Sequence, residues 1–245
     1  QSPTIKVRVA DTRDLTISDA SNSGFKIRPK FNITYPTVSG LQLDVDQKVN
    51  ITWTWQGNAP NVKLEYSKNN FVSDINTIIA STPNTGTFEW TVPDDITAPN
   101  STVKVRISDT RDYDARDDSD NPFKIQPKFT IDSPSVADIW IKGETRTISW
   151  ANTGSVFTVS LEYSKDNFVS KASIISSLPN ASMNSGSYNW TVPDDITSPD
   201  YTVKIRVADT RDYEARDDSD NPLKIRGNLT VNYPNGAEVL RVDDT

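Results

Sequence analysis

Apolar and polar residues alternate with period two along most of this chain. In 102–108, Val103, Val105 and Ile107 share one face while Lys104 and Arg106 share the other. Ile51, Trp53 and Trp55 alternate with Asn50, Thr52 and Thr54, and Phe88, Trp90 and Val92 alternate with Thr87, Glu89 and Thr91. Side chains of a strand point to opposite faces in turn, so this pattern marks half-buried strands. Turn residues separate the runs: Gly57-Asn58, Pro83-Asn84-Thr85-Gly86, Pro93-Asp94-Asp95 and Pro99-Asn100. No stretch carries a 3.6-residue apolar period. The pattern predicts strands A (31–35), B (48–55), C (62–67), C′ (75–80), E (86–92), F (102–108) and G (122–126).

The pattern recurs. The 36 residues from Trp90 to Ile125 return from Trp190 to Ile225 with 28 identities. LEYSKNNFVS at 64–73 returns as LEYSKDNFVS at 161–170. A partial copy opens the chain, with IKVRVADTRD at 5–14 matching VKVRISDTRD at 103–112, and a fragment at 229–236 matches 31–38. The expected organisation is the C-terminal strands of one unit (1–29), two whole units (30–127 and 128–227), and the first strand of another (228–245), a window onto a longer array. About seven short strands per unit, without βα alternation, predict all-β tandem antiparallel sandwiches arranged as a rod. The tryptophans at 53, 90, 150 and 190 are expected as core anchors that face each other across the sheets.

Composition narrows the chemistry. The 245 residues contain no Cys and no His, and the net charge is -7. That excludes disulfides, thiolate or imidazole metal sites and Ser-His-Asp catalysis, and it argues against nucleic acid, which requires a basic face. No apolar run reaches the roughly 18 residues of a membrane span.

The order of motifs resembles a known family. Each unit runs from a Pro after strand A through I-(S/T)-W and L-E-Y-S-K to G-x-(Y/F)-x-W-T-V-P, T-V-K-(I/V)-R and S-D-N-P-(F/L)-K-I. This resembles fibronectin type III modules. More closely, it resembles the extracellular Ig-like domain named after yeast Ser/Thr-rich, lipid-anchored cell-wall proteins, also found in tandem in bacterial and archaeal surface proteins. The resemblance implies an extracellular or cell-surface β-sandwich and says little about function, since such sandwiches host many roles; the chain is expected not to be an enzyme.

Between strands F and G an acidic segment reads DTRDYDARDDSDNP at 109–122 and DTRDYEARDDSDNP at 209–222. Read as a loop, it supplies Asp109, Asp112 and Asp117, and Asp209, Asp212 and Asp217. In an Ig-like array it would face the E–F turn, with Asp94 and Asp95, of the neighbouring unit. Oxygen-rich clusters of this kind suit Ca²⁺, which would stiffen the junction. Local neutralisation by Arg111, Arg116 and Lys128 is the competing reading. A paired-carboxylate glycosidase is rejected, because the same acids recur in every unit. Short Pro-containing linkers at 27–31 and 125–129 hold neighbours in a preferred angle.

Trp140, placed opposite Gln42 between Ile139 and Ile141, has outward parity and becomes a candidate interface or sugar-stacking residue. Trp55 is expected to cap the core edge. Sequons at Asn32, Asn50, Asn100, Asn180, Asn189 and Asn228 are little denser than chance makes them. The leading function is a structural stalk, fibre or surface-layer element, with neighbouring repeats and homo-assembly into a fibre or lattice as partners. The alternatives are a glycan- or protein-binding adhesion module and an accessory region of a large secreted enzyme.

Overall fold

The computed structural model describes residues 5–135, 138–180, 182–194, 196, 198–233, 235 and 236. Among them every regular element is a strand. Two compact units divide at Pro127–Lys128.

The first unit opens with a hairpin of β1 (Arg8–Ala10) and β2 (Ser18–Ala20). It continues through β3 (Lys30–Tyr35), β4 (Gln42–Asp44), β5 (Lys48–Gln56), β6 (Asn61–Ser67), β7 (Asn76–Pro83), β8 (Thr87–Thr91), β9 (Lys104–Asp109), β10 (Asp112–Asp118) and β11 (Lys124–Gln126). One antiparallel sheet has the order β3-β5-β8 and the other β10-β9-β6-β7, while β4 pairs in parallel with β11. The inward residues of the alternating strands, including Ile51, Val62, Leu64, Val105 and Ile107, meet in one core.

The second unit repeats this plan with β12 (Lys128–Ser133), β13 (Ile139–Ile141), β14 (Thr145–Thr153), β15 (Thr158–Ser164), β16 (Ala172–Pro179), β17 (Ser185–Thr191), β18 (Ser198–Asp209), β19 (Arg216–Asp218) and β20 (Leu223–Arg226). Here β12-β14-β17 opposes a sheet in which β18 joins β15 on one side and β19 and β20 on the other. Each unit is thus an antiparallel sandwich, as its alternation predicts.

The structure corrects the sequence reading in four places. First, the acidic segment is not a loop. Its turn is short, and Asp112–Asp118 runs back along β9 as the first half of strand G, with Asp118 opposite Arg106. Its inward positions are Ala115, Asp117 and Ser119, so no run of large apolar residues announces a strand. Ser119 and Ala115 are nonetheless buried.

Second, Trp53 and Trp90 do not face each other across the core. They lie on β5 and β8 of one sheet. Trp90 packs against Tyr66 of the opposite sheet at 5.6 Å between ring centroids, and Trp190 packs against Tyr163 at 5.4 Å.

Third, Trp140 points inward and is 4% exposed. It pairs with Ile225 as Leu43 pairs with Ile125. Its counterpart is therefore Leu43, not Gln42, and a one-residue slip in alignment reverses a strand residue's face. Trp140 meets Trp190 at 5.9 Å. In the first unit Phe123 meets Trp90 at 6.3 Å. The aromatic against the shared tryptophan thus comes from strand G in one unit and from the short parallel strand in the other, with Leu43 and Leu223 at the exchanged positions.

Fourth, 228–233 form no strand, and Leu229 is almost fully exposed. Its counterpart β3 gains its ladder and its burial from β5. The rest of that fragment, 237–245, lies outside the described residues.

Candidate functional site

A polar centre repeated in both units is an arginine on the outer face of the sheet that carries β9 or β18. Arg106 projects from β9 and donates two hydrogen bonds to Asp118 of β10, at 2.5 and 2.8 Å. A third goes to the Tyr113 hydroxyl at 3.0 Å. Its guanidinium lies 3.8 Å from the centre of the Phe71 ring. The second unit rebuilds this with Arg206, Asp218 at 2.5 and 2.7 Å, Tyr213 at 2.8 Å and Phe168 at 3.7 Å. A planar, bidentate and stacked guanidinium is a geometry that lysine cannot copy. The Asp118 and Asp218 hydrogen bonds hold both guanidinium pKa values above the usual arginine range.

The repeated LEYSK-(N/D)-NFVS motif supplies the lid over each arginine. Phe71 and Phe168 sit at φ +59° and +64°, and the preceding Asn70 and Asn167 are also left-handed. A bulky residue costs about 1–3 kcal/mol there. The Ser67 and Ser164 hydroxyls compensate by accepting the Phe71 and Phe168 backbone N–H groups, both at 2.8 Å. Asp166 caps the second lid, and its pKa is pushed down to about 2 by the Ser170 hydroxyl and backbone N–H and by Ser164. Sequence reading missed this device, although the near-identity of 64–73 and 161–170 was its signal.

The acids proposed as metal ligands are dispersed, and most accept hydrogen bonds from protein donors. Asp109 and Asp209 accept the backbone N–H of Arg111 and Arg211 at 2.9 Å, and each pairs with that arginine's guanidinium. Burial raises the Asp109 pKa, but the Arg111 bonds outweigh it and leave the group below its ordinary value. Asp112 accepts from Arg28 at 2.8 Å, which lowers its pKa, and Arg28 also reaches Asp114 at 2.7 Å. Buried Asp212 accepts the Glu214 N–H at 3.1 Å.

Asp117 and Asp217 cross between the sheets. Each accepts at 2.8 Å a backbone N–H, of Ile33 or Ile131, at the bulge in β3 or β12. Burial raises both carboxyl pKa values. Asp95 accepts from Tyr66 at 3.0 Å and Lys68 at 2.6 Å. Asp94 lies beside it on the exposed turn after β8. Among the described residues no three acids converge in a way that could hold a metal. Asp109, Asp112 and Asp209 pair with arginines, and Asp117 and Asp217 with backbone N–H groups.

Trp140, the aromatic candidate, is not a surface platform. Trp140 is core, and Trp55 is half-exposed at the end of β5 beside Phe31 and Lys30. The indole N–H of each core tryptophan on β5 or β14 is taken by an asparagine, Asn84 at 2.7 Å or Asn180 at 3.2 Å. Asn180 is buried and donates to Asn152 and Val156, so this sequon asparagine is spent on the core.

Residues 133–219, within the second sandwich, match the family model described as the Kre9/KNH-like N-terminal Ig-like domain. That agrees with the Ig-like resemblance read from the motifs. Among solved structures, the fibronectin(III)-like modules of Clostridium thermocellum CbhA match at 14% identity and a TM-score of 0.27, over 80% of this chain and 94% of that one. The N-terminal four Ig domains of Dscam1 isoform 6.9 match at 12% identity and 0.29, over 86% and 52%. A chimeric titin Z1Z2 tandem matches at 10% identity and 0.26, over 81% and 100%. No curated protein matches the chain. The fold assignment rests on the strand pairing itself.

Proposed function

We propose that this chain is a tandem Ig-like segment of a secreted or cell-surface protein, serving as a structural stalk, fibre or surface-layer element. One observation carries the reading: the polar residues duplicated between the units are spent on holding each sandwich together. The Arg106 and Arg206 clusters lock β10 and β19 to β9 and β18. Asp117 and Asp217 tie one sheet to the other. A binding or catalytic module would instead aim such groups at a cleft. The short linker also supports the reading, since Pro29 lies against Gly57, where a Cβ would meet Pro29 Cα at 3.3 Å. No helix among the described residues is long and apolar enough to cross a membrane.

Small-angle scattering of the chain tests the proposal. It predicts an elongated particle whose maximum dimension does not change when polysaccharides are added. A broad, flexible distribution of dimensions, or retention on a glycan matrix, would favour the adhesion alternative. A dimension that changes on adding EDTA would add calcium to the boundaries between repeats.

A further inference from the structure

An edge strand offers unpaired N–H and C=O groups to any other strand, and stable sandwiches blunt their edges with bulges, short strands or charges. Here β3 and β12 each carry a bulge, β7 and β16 carry two each, and β10 carries one. The strands β1, β2, β4, β11, β13 and β19 are three residues long. Among the described residues, two edges lack both devices. β8 pairs with β5 from Lys48↔Thr91 to Thr52↔Thr87, and β17 pairs with β14 from Thr145↔Thr191 to Ala151↔Ser185, without irregularity in either. No described strand lies on the far side of β8 or β17. Only Ser185, the first residue of β17, meets Ser182 in a bridge.

The two regular edges differ in charge. β8 has exposed Glu89 at its centre, paired with Lys48 at 3.1 Å. β17 has Asn189 at that position, which accepts the Thr147 hydroxyl at 2.9 Å. Thr145 stands in the place of Lys48 and shares a hydrogen bond with Thr191 at 3.0 Å. None of the residues of β17 is charged. Two antiparallel copies of β8 would bring Glu89 against its own copy, and like charges opposite each other across strands are destabilising. Two copies of β17 bring no charges together in any register. That difference decides self-association in a chain of net charge -7, whose copies repel at long range.

We propose that β17 is a self-association edge, which pairs antiparallel with β17 of a second copy of this chain and joins two three-stranded layers into one continuous sheet. The proposal rests on the structural reading above and gives it a lateral contact. A second copy is the occupant because the edge matches itself. Its outward residues Ser185, Ser187, Asn189 and Thr191 are exposed, and each is both a donor and an acceptor, so either copy can meet the other's needs without a charge. A two-fold contact uses the same patch on both copies and closes on itself. With β8 guarded by Glu89, association stops at the dimer.

Sedimentation equilibrium of the whole chain tests the proposal. The mass is expected to rise with concentration from 27.3 kDa towards twice that value and no further, and hydrogen exchange of 186–191 to slow over the same concentrations. Asn189→Glu combined with Thr145→Lys rebuilds in β17 the Lys48–Glu89 arrangement that the first unit already folds around. It should weaken association by roughly tenfold or more while the second unit stays folded in thermal melts. The converse pair, Lys48→Thr with Glu89→Asn, opens β8 and should carry assembly beyond the dimer. A chain that stays at 27.3 kDa up to millimolar concentration overturns the proposal. So does a dimer that the Thr145→Lys, Asn189→Glu variant leaves intact, or one that protects another strand instead of β17. A monomer would leave the elongation measured by scattering untouched, so the two readings fail separately.

Discussion

Replacing Trp140 with leucine tests the core exchange between the two units. The substitution removes roughly 60 Å³ of side chain, and a cavity of that size costs about 1.5 kcal/mol at ~24 cal/mol per Å³. Lost burial of about 50 Å² of apolar surface adds about 1.3 kcal/mol, for a total near 3 kcal/mol. For a sandwich of this size that lowers the midpoint of the second unit by roughly 12–24 °C. Leu223→Phe alone overfills a closed core and costs about 1–3 kcal/mol.

The double variant rebuilds the Leu43/Phe123 arrangement of the first unit. It should therefore be more stable than the sum of the singles by at least about 1 kcal/mol, within the range measured for contacting residues. Denaturant-dependent hydrogen exchange reads the two units separately by their peptides. A W140L cost below about 0.5 kcal/mol would return Trp140 to the surface. A double variant no better than additive would refute the exchange of aromatics.

The arginine clusters predict that Arg206→Lys destabilises the second unit by about 1–2 kcal/mol, because the bidentate pair with Asp218 and the stack on Phe168 are both lost. Urea unfolding that leaves the second unit's midpoint unmoved would sink the claim. Asp217→Asn should stabilise the chain at pH 7 and leave it unchanged below pH 3. The folded carboxyl has a pKa raised above its ordinary 3.8 by burial, so the folded state binds the more protons and this group's contribution falls as pH rises through the window from 3.8 to the raised value. The amide oxygen still accepts the Ile131 N–H and carries no charge to desolvate, so thermal melts showing D217N less stable at pH 7 contradict the assignment. Asp109 and Asp112, held below 3.8, act oppositely: their stabilisation is present above 3.8 and disappears as pH falls through their lowered values. EDTA or millimolar calcium should leave both thermal midpoints within about 1 °C, since the acids of each sandwich are held by protein donors; a calcium-dependent rise consistent with ligand linkage would overturn that account.

The sandwich was legible because its strands alternate cleanly, and strands A, B, C, E and F lie within a residue or two of where Phe31, Trp53, Leu64, Trp90 and Val105 placed them. The strand at Asp112–Asp118 was not, because its inward positions hold Ala, Asp and Ser, and period-two reading depends on large apolar residues. Trp140 was misplaced by the opposite difficulty. Its three-residue strand is too short to fix its own phase, so the side it faced depended on a one-residue choice of alignment. The arginine centre was hidden because it joins residues far apart in sequence (Phe71, Arg106 and Asp118), and only the duplication of the lid motif hinted that it had work to do. The acidic density suggests calcium from composition alone, whereas the arginine and backbone N–H partners of Asp109, Asp117 and Asp118 are set by strand pairing and are not visible in the sequence.

The central claim is that these repeats build structure rather than present a binding site, and electron microscopy of the native assembly tests it most directly. The account predicts straight filaments or a regular lattice formed without added ligand, with an axial period set by the length of one sandwich. Isolated, flexible beads that order only on addition of a glycan or partner protein would contradict it.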